Sequence, residues 1–375
     1  MIPFFASLFE NSLYAGLGEY ISVRAAGALA FSFLLSLIFG NRTIRFLQRL
    51  KVGQFIRDSK GDGALSLMEM HAKKAGTPTM GGLMIAWTFA LSLLLFGDWS
   101  EPVLILAFVT TIGFGLIGFV DDYRKVVRKQ SEGLTTKEKL AAQSVLALVF
   151  AVFCTSVFNG IVTYPQVPGF AFTDLALPFF KSVVVPLGLL YIVYSYFVLT
   201  GTANAVNLTD GLDGLASGVA ITSALAFAVI AYLVGRVDTS AYLLIPYVRG
   251  AGELCVLLCA LIGSCFGFLW FNCYPAKMFM GDTGSMLIGG ALGSVALLTK
   301  QELLLLIIGG VFVAEAGSVM LQVASFKIRK TRIFLMSPLH HHFERLGWPE
   351  SQIIVRFWMI SALLALAGLS TLKLR

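Results

Sequence analysis

Asn204-Ala-Val-Asn-Leu-Thr-Asp-Gly-Leu-Asp-Gly-Leu215 is polar and acidic, yet it lies wedged between two long apolar segments. Bare carboxylates are costly in hydrocarbon, so Asp210 and Asp213 at the mouth of two membrane spans require a metal, a ligand or water beside them. Working outward, Asp121-Asp122 follows another apolar run, and Gly281-Asp282-Thr283-Gly284 precedes one. Three acidic clusters, each at the end of an apolar run, read as one divided site.

The rest of the chain agrees. Of its 375 residues, 57% are hydrophobic and 13% charged, and the mean hydropathy is +0.82. Apolar runs of about twenty residues recur, each long enough to cross a bilayer core. Spans are expected near residues 21–40, 80–96, 103–120, 140–158, 183–200, 215–234, 253–270, 284–299, 303–324 and 353–371. The expected fold class is all-α: a polytopic bundle of about ten transmembrane helices, forming one integral-membrane domain over residues 1–375 without linker, repeat or low-complexity tract.

Ten crossings put both termini on one side, and charge decides which. Of the 28 Lys and Arg, 21 fall in the connections 41–79, 121–139, 201–214, 271–283 and 325–356. The positive-inside bias makes those connections cytoplasmic and both termini external. All three acidic clusters then face the cytoplasm. Residues 1–20 lack a basic start and carry Glu10 and Glu19, so the first span, rather than a cleaved leader, is the expected insertion signal.

Other features read as framework. Cys154, Cys255, Cys259, Cys265 and Cys273 lie within spans or at a cytoplasmic mouth and are expected to be packing thiols. The net charge of +7 suits a basic face beside anionic lipid, and it also favours anionic ligands. The outer connection 159–182 is expected to be an interfacial hairpin turning at Pro168-Gly169. Lys327, Arg329, Lys330 and Arg332, interleaved with Ile328, Ile333, Phe334 and Leu335, make 325–350 an amphipathic surface segment. Gly289, Gly290 and Gly293 suit close helix packing better than phosphate binding.

The polar residues carry the chemistry. On a helix Asp121 and Lys125 share a face while Asp122 points away, so one carboxylate can serve a metal and its neighbour a nucleophile; a solvated ion pair at a helix end is the plainer alternative. Asp282 is placed to cap the following helix, which does not exclude ligation. Carboxylate-only sites favour Mg²⁺ or Mn²⁺ over zinc. Lys73, Lys74, Thr79, Lys125, Asn272 and His340 to His342 supply cationic and amide groups on the same face, as phosphoryl transfer requires. Neither a P-loop nor a HExxH motif is present. Glu315, alone in an apolar span, reads as a packing residue with a hydrogen-bond partner, or else as a residue lining the site.

Together, Lys74-Ala-Gly-Thr-Pro-Thr-Met-Gly-Gly82, Asp121-Asp122, Asn204 to Leu215, Met280-Gly-Asp-Thr-Gly-Ser285 and Pro338-Leu-His-His-His-Phe-Glu344 resemble the signatures of the polyprenyl-phosphate N-acetylhexosamine-1-phosphate transferases, in particular their phospho-N-acetylmuramoyl-pentapeptide branch. The resemblance covers nearly the whole chain, in order. It implies an enzyme of the bacterial cytoplasmic membrane that uses Mg²⁺ to move phospho-MurNAc-pentapeptide from its UDP carrier to undecaprenyl phosphate, giving lipid I and UMP. By the same resemblance Asp121 is the base that deprotonates or orients the lipid phosphate, Asp122 supports it, and Asp282 binds Mg²⁺. Asn207, Asp210 and Asp213 fall around nucleotide and metal, with Asp213 a second metal ligand, and Phe279 is placed to stack on uracil. Lys74, Thr79, Lys125, Asn272, His340, His341 and His342 match positions that hold diphosphate or sugar.

Direct attack by the lipid phosphate is favoured over a phospho-enzyme, because that phosphate is already anionic near neutral pH. Membrane lipid is an expected partner and nucleic acid is not; a homodimer is compatible with the sequence but not specified by it. Two rivals differ from this reading. A UDP-GlcNAc transferase would share the aspartates but not the histidine run or Thr77-Pro-Thr-Met-Gly-Gly82. A transporter would place its ionisable groups near the bilayer midplane instead of at one interface.

Overall fold

Apolar residues all round a helix leave it no polar face to present to water, and such helices pack against one another and lipid. The computed structural model describes residues 18–49, 77–126, 133–180 and 183–373 and shows this architecture. In chain order the long helices are α1 (Ile21–Arg49), α2 (Gly82–Phe96), α3 (Pro102–Val126), α4 (Thr136–Val157), α5 (Leu190–Thr209), α6 (Leu215–Val234), α8 (Gly252–Asn272), α9 (Gly281–Leu298), α11 (Gly310–Arg329) and α13 (Glu350–Thr371). Shorter ones are α7 (Val237–Leu243), α10 (Leu305–Ile308) and α12 (Leu339–Arg345). Eight are long and apolar enough to cross a membrane. The fifteen-residue α2 and the twenty-residue α5 match the two other expected spans. The chain is an all-α, multi-pass membrane protein.

The centre of the bundle is α9. Small residues let its neighbours approach: a Cβ on Gly289 would stand 2.5 Å from the Ala203 Cα of α5, and one on Gly290 would stand 2.8 Å from the Phe114 Cβ of α3. The close-packing role expected for these glycines is what the structure shows. Around α9 lie α3, α5, α2 and α6, while α8 packs on α1 and α6. At the end away from the acidic clusters, Arg24 of α1 and Glu253 of α8 form a buried pair, Nη1 to Oε2 2.7 Å, and Glu253 also accepts from the Asp98 backbone N–H.

Several features differ from expectation, among them α1 and α5 running on to Arg49 and Thr209. Helix α5 begins at Leu190 rather than 183 because Val184–Pro186 forms a strand, β3, paired antiparallel with β2 (Asp174–Ala176). The outer connection does turn at Pro168-Gly169, where Gly169 has φ +82, but this turn does not join the paired strands. Those strands are β2 and β3, while β1 (Val162–Thr163) pairs with the distant β4 (Tyr247–Val248). The ninth span is split at Gly309: α10 ends at Ile308 and α11 carries on from Gly310 to Arg329. Of the five cysteines, all free, Cys273 is exposed rather than packed.

Candidate active site

The C-terminal end of α3, the N-terminal ends of α4, α6 and α9, and the C-terminal end of α5 meet at one end of the bundle. Glycine makes that meeting close. A Cβ on Gly118 of α3 would stand 2.1 Å from the Asp282 carbonyl oxygen, and one on Gly82 of α2 would stand 2.1 Å from the Gly284 nitrogen. Any larger residue there would push α9 away from α3 or α2 and open the site.

Asp121, Asp122 and Asp282 each offer a carboxylate oxygen, and these oxygens all lie within 4.8 Å of one another. Their environments differ. Asp121, 1% exposed, accepts the Leu134 N–H at 2.7 Å and is in close contact with Lys125 Nζ one turn along α3. Asp122 points the other way, as helix geometry demands. Its carboxylate accepts from the Asp282 and Thr283 N–H groups at 3.1 and 2.9 Å and from the Thr283 hydroxyl at 2.6 Å. Asp122 thus caps α9 from another helix, satisfying orphan donors of its first turn and placing a negative charge at the positive end of its dipole. Asp282 does not cap its own helix, as the sequence had led us to expect, because Asp122 already fills that role.

The Asp282 carboxylate is therefore left to meet side chains of other helices. Its Oδ2 lies 3.0 Å from Lys125 Nζ and 2.9 Å from Lys139 Nζ, and its Oδ1 accepts from Asn207 Nδ2 at 2.8 Å. Asn207 also donates to Ser285 Oγ at 2.8 Å. Lys139 is a functional candidate that sequence reasoning missed: its charge was counted toward topology alone. The available signal was the capping box at Thr135 and Glu138, which starts α4 and puts Lys139 in its first turn beside the anionic cluster.

Asp210 lies just past the end of α5. Burial, with the neighbouring carboxylates of Asp282 and Asp122, pushes its carboxyl up to about 8. Asp213, 2% exposed, stands apart from the three-carboxylate group: its Oδ2 accepts the Ala276 N–H at 3.0 Å, and its own N–H donates to Glu350 at 3.0 Å. Asn272 donates to the Met278 carbonyl at 2.8 Å. Phe279 and Thr79 lie on neighbouring segments, with Phe279 N–H donating to the Pro78 carbonyl and Gly81 N–H to that of Phe279, both at 2.8 Å. Lys74, like His71 and Lys73, lies outside the described residues.

His340 is sealed at 1% exposure, its Nδ1 3.1 Å from Glu315 Oε2. This supplies the hydrogen-bond partner expected for Glu315. His340 also touches the acidic loop, since a Cβ on Gly211 would stand 2.2 Å from its Nε2. The donor set of the site is carboxylate oxygen only, which suits a hard divalent cation, and the acidic group can hold a metal ion. Two lysines around it favour a ligand with more negative charge than the protein supplies.

Comparison with known families agrees with this geometry. A model described as glycosyl transferase family 4 matches residues 104–300, more than half of the chain, and the chain belongs to that family. Ahead of that matched stretch, residues 74–85 match the phospho-N-acetylmuramoyl-pentapeptide-transferase signature 1. The fold, site and signature together define a membrane transferase of that kind, one that passes a phospho-sugar to a polyprenyl phosphate.

Proposed function

We propose that the protein transfers phospho-MurNAc-pentapeptide from UDP-MurNAc-pentapeptide to undecaprenyl phosphate, releasing UMP and forming lipid I, with Mg²⁺ as cofactor. The observation that carries this reading is the convergence of Asp121, Asp122 and Asp282 within 4.8 Å beside Lys125 and Lys139. With most Lys and Arg in the stretches of sequence that the positive-inside bias assigns to the cytoplasm, the site faces the cytoplasm of a bacterial inner membrane and both termini lie outside. A soluble nucleotide sugar then arrives from water, and a lipid phosphate from the bilayer.

In this reading an oxygen of the lipid phosphate attacks the sugar-bearing phosphorus, and the bond from that phosphorus to the UMP oxygen breaks. Asp121, in contact with Lys125, takes a proton from the lipid phosphate or orients it. Lys125 and Lys139 neutralise charge on the phosphoryl oxygens, the main requirement of such a transfer. Asp282, with Asp121, would hold Mg²⁺, which would supply Lewis-acid neutralisation of the charge on the donor diphosphate. Asp122 holds the first turn of α9, and with it Asp282. Lys74, Thr79, Asn207, Asp210, Asp213, Asn272, Phe279 and the three histidines surround donor diphosphate, sugar and uracil.

The deciding experiment is UMP release from UDP-MurNAc-pentapeptide and undecaprenyl phosphate, with and without Mg²⁺, beside a parallel reaction with UDP-GlcNAc. The expected result is release only with the muramoyl donor and the cation. Release from UDP-GlcNAc alone would assign the protein to the other branch of the family. Substrate flux into sealed proteoliposomes without UMP would make it a transporter.

A further inference from the structure

Each ring of the histidine run is held at Nδ1, but by different chemistry. His340 Nδ1 meets Glu315 Oε2 at 3.1 Å and His341 Nδ1 meets Glu344 Oε2 at 2.6 Å. His342 Nδ1 instead faces the Leu335 backbone N–H at 3.2 Å. A backbone N–H can only donate, so His342 Nδ1 is the acceptor and the neutral ring carries its proton on Nε2. The far edge of His342 is thereby fixed as an N–H donor, the group a phosphate oxygen accepts from.

That fixation depends on where Leu335 lies. Residues 331–336 form neither helix nor strand, so no backbone ladder sets their path. Side chains of α11 do: Ser325 Oγ donates to the Thr331 carbonyl at 2.8 Å, and Gln322 holds the stretch next to Leu335. Gln322 of α11 accepts the Ile333 and Phe334 N–H groups at Oε1, both at 3.0 Å, and donates from Nε2 to the Phe334 carbonyl at 3.0 Å. All three bonds fall on the two residues before Leu335. The Phe334 ring also meets the His342 ring edge to face, centroids 5.7 Å apart, so the same grip reaches the imidazole by two routes.

We propose that Gln322 is a positioning residue of the transfer reaction: by clamping Ile333 and Phe334 it sets the Leu335 N–H against His342 Nδ1 and so presents His342 Nε2–H to a phosphate oxygen of the nucleotide-sugar donor. This rests on the transferase reading above. An amide is suited to the task because it accepts twice and donates once at a single point, which neither a carboxylate nor an amine does.

The test uses the full-length protein in nanodiscs, comparing wild type with Gln322→Ala, Gln322→Glu, His342→Ala and the Gln322→Ala/His342→Ala double variant. Steady-state UMP release, thermal midpoint and ¹⁵N shifts of labelled histidine are measured. Gln322→Ala is expected to raise KM for the nucleotide sugar about tenfold with little change in kcat, as loss of uniform binding does. One histidine should lose its fixed Nε2–H tautomer. Gln322→Glu keeps both acceptor bonds but sets a carboxylate oxygen against the Phe334 carbonyl, so it should recover only part of the KM. The double variant should be no worse than His342→Ala alone, because the two residues act in series.

An unchanged KM in folded Gln322→Ala would overturn the proposal. So would a fall in kcat that tracks the thermal midpoint and is not recovered by Gln322→Glu, since that pattern marks a merely structural amide. Absence of UMP release from wild type would instead defeat the transferase reading. In that case the tautomer shift in unliganded protein still decides whether Gln322 orients His342.

Discussion

The two ends of α9 both carry buried charge, and they are built oppositely. Two residues past its C-terminal end, Lys300 pairs with Glu302 at 3.1 Å, the side chains 0% and 1% exposed, and the ammonium is covered by the rings of Tyr191 and Phe172 at 4.5 and 5.1 Å. One cation meets one anion under an aromatic lid. At the N-terminal end three carboxylates meet two lysines, the Lys125 side chain is 39% exposed, and Asp210 adds a further carboxyl. Desolvated charge is tolerated when it is matched and enclosed. Charge that is unmatched and partly open is arranged for something that arrives, which is why we propose the second cluster as the site and the first as a fastening.

The contrast breaks most sharply at Asp282. Asp282→Asn is expected to lower turnover by roughly 10³-fold, on the scale of losing a main electrostatic contact to the reacting group. Its thermal midpoint in detergent should fall only modestly, because the change relieves carboxylate crowding while giving up the charge-assisted contacts to Lys125 and Lys139. Activity retained at saturating Mg²⁺ would remove Asp282 from the catalytic group.

At the other end the pattern should invert. Lys300→Met leaves Glu302 buried without its partner, at a cost of about 3–5 kcal/mol of stability. The fraction that still folds should turn over at close to the wild-type rate. Urea or thermal melts read with specific activity per folded molecule separate the two outcomes, and a stable but inactive Lys300→Met protein would show that both ends of α9 serve catalysis.

Lys139→Met is the smaller test of the same division. Removing one charge-assisted contact to Asp282 is expected to reduce kcat/KM by roughly tenfold to a hundredfold, with stability almost unchanged. Kinetics identical to wild type would leave Lys125 as the single working lysine of the cluster.

Most of the architecture was legible in the sequence because membrane spans announce themselves by length and apolarity, one residue at a time. The convergence of Asp121-Asp122 with Asp282 was legible because carboxylates at span mouths demand partners, whereas Asp213, expected in the same site, stands apart against Ala276 and Glu350. Other features are properties of contact and had no such signature. Nothing in Asp121-Asp122 says that the second carboxylate caps a helix about 160 residues downstream, which takes the side-by-side packing permitted by Gly118. Lys139 was hidden by its role in topology, since a basic loop explains a lysine without any site. The outer hairpin misled because Pro168-Gly169 makes a local turn, whereas β1 finds its partner in β4, far along the chain.

Asp210 gives the most delicate comparison. With its carboxyl pushed up to about 8, the folded protein keeps a proton that the unfolded chain releases near the ordinary carboxylate value of 3.8. By linkage the stabilisation is complete below the unfolded value and is lost as pH rises through the folded one. Without divalent cation, the thermal midpoint should therefore fall between about pH 4 and about pH 8 and level off above that window. Asp210→Asn cannot ionise, so the difference between it and wild type should grow across the same window. A divalent cation held by Asp121 and Asp282 would offset the repulsion and flatten the wild-type curve. The Lys300–Glu302 end is internally matched and gives Mg²⁺ no comparable foothold. A pH-dependent difference that ignores Mg²⁺ would therefore place the proton of Asp210 outside the site's electrostatics.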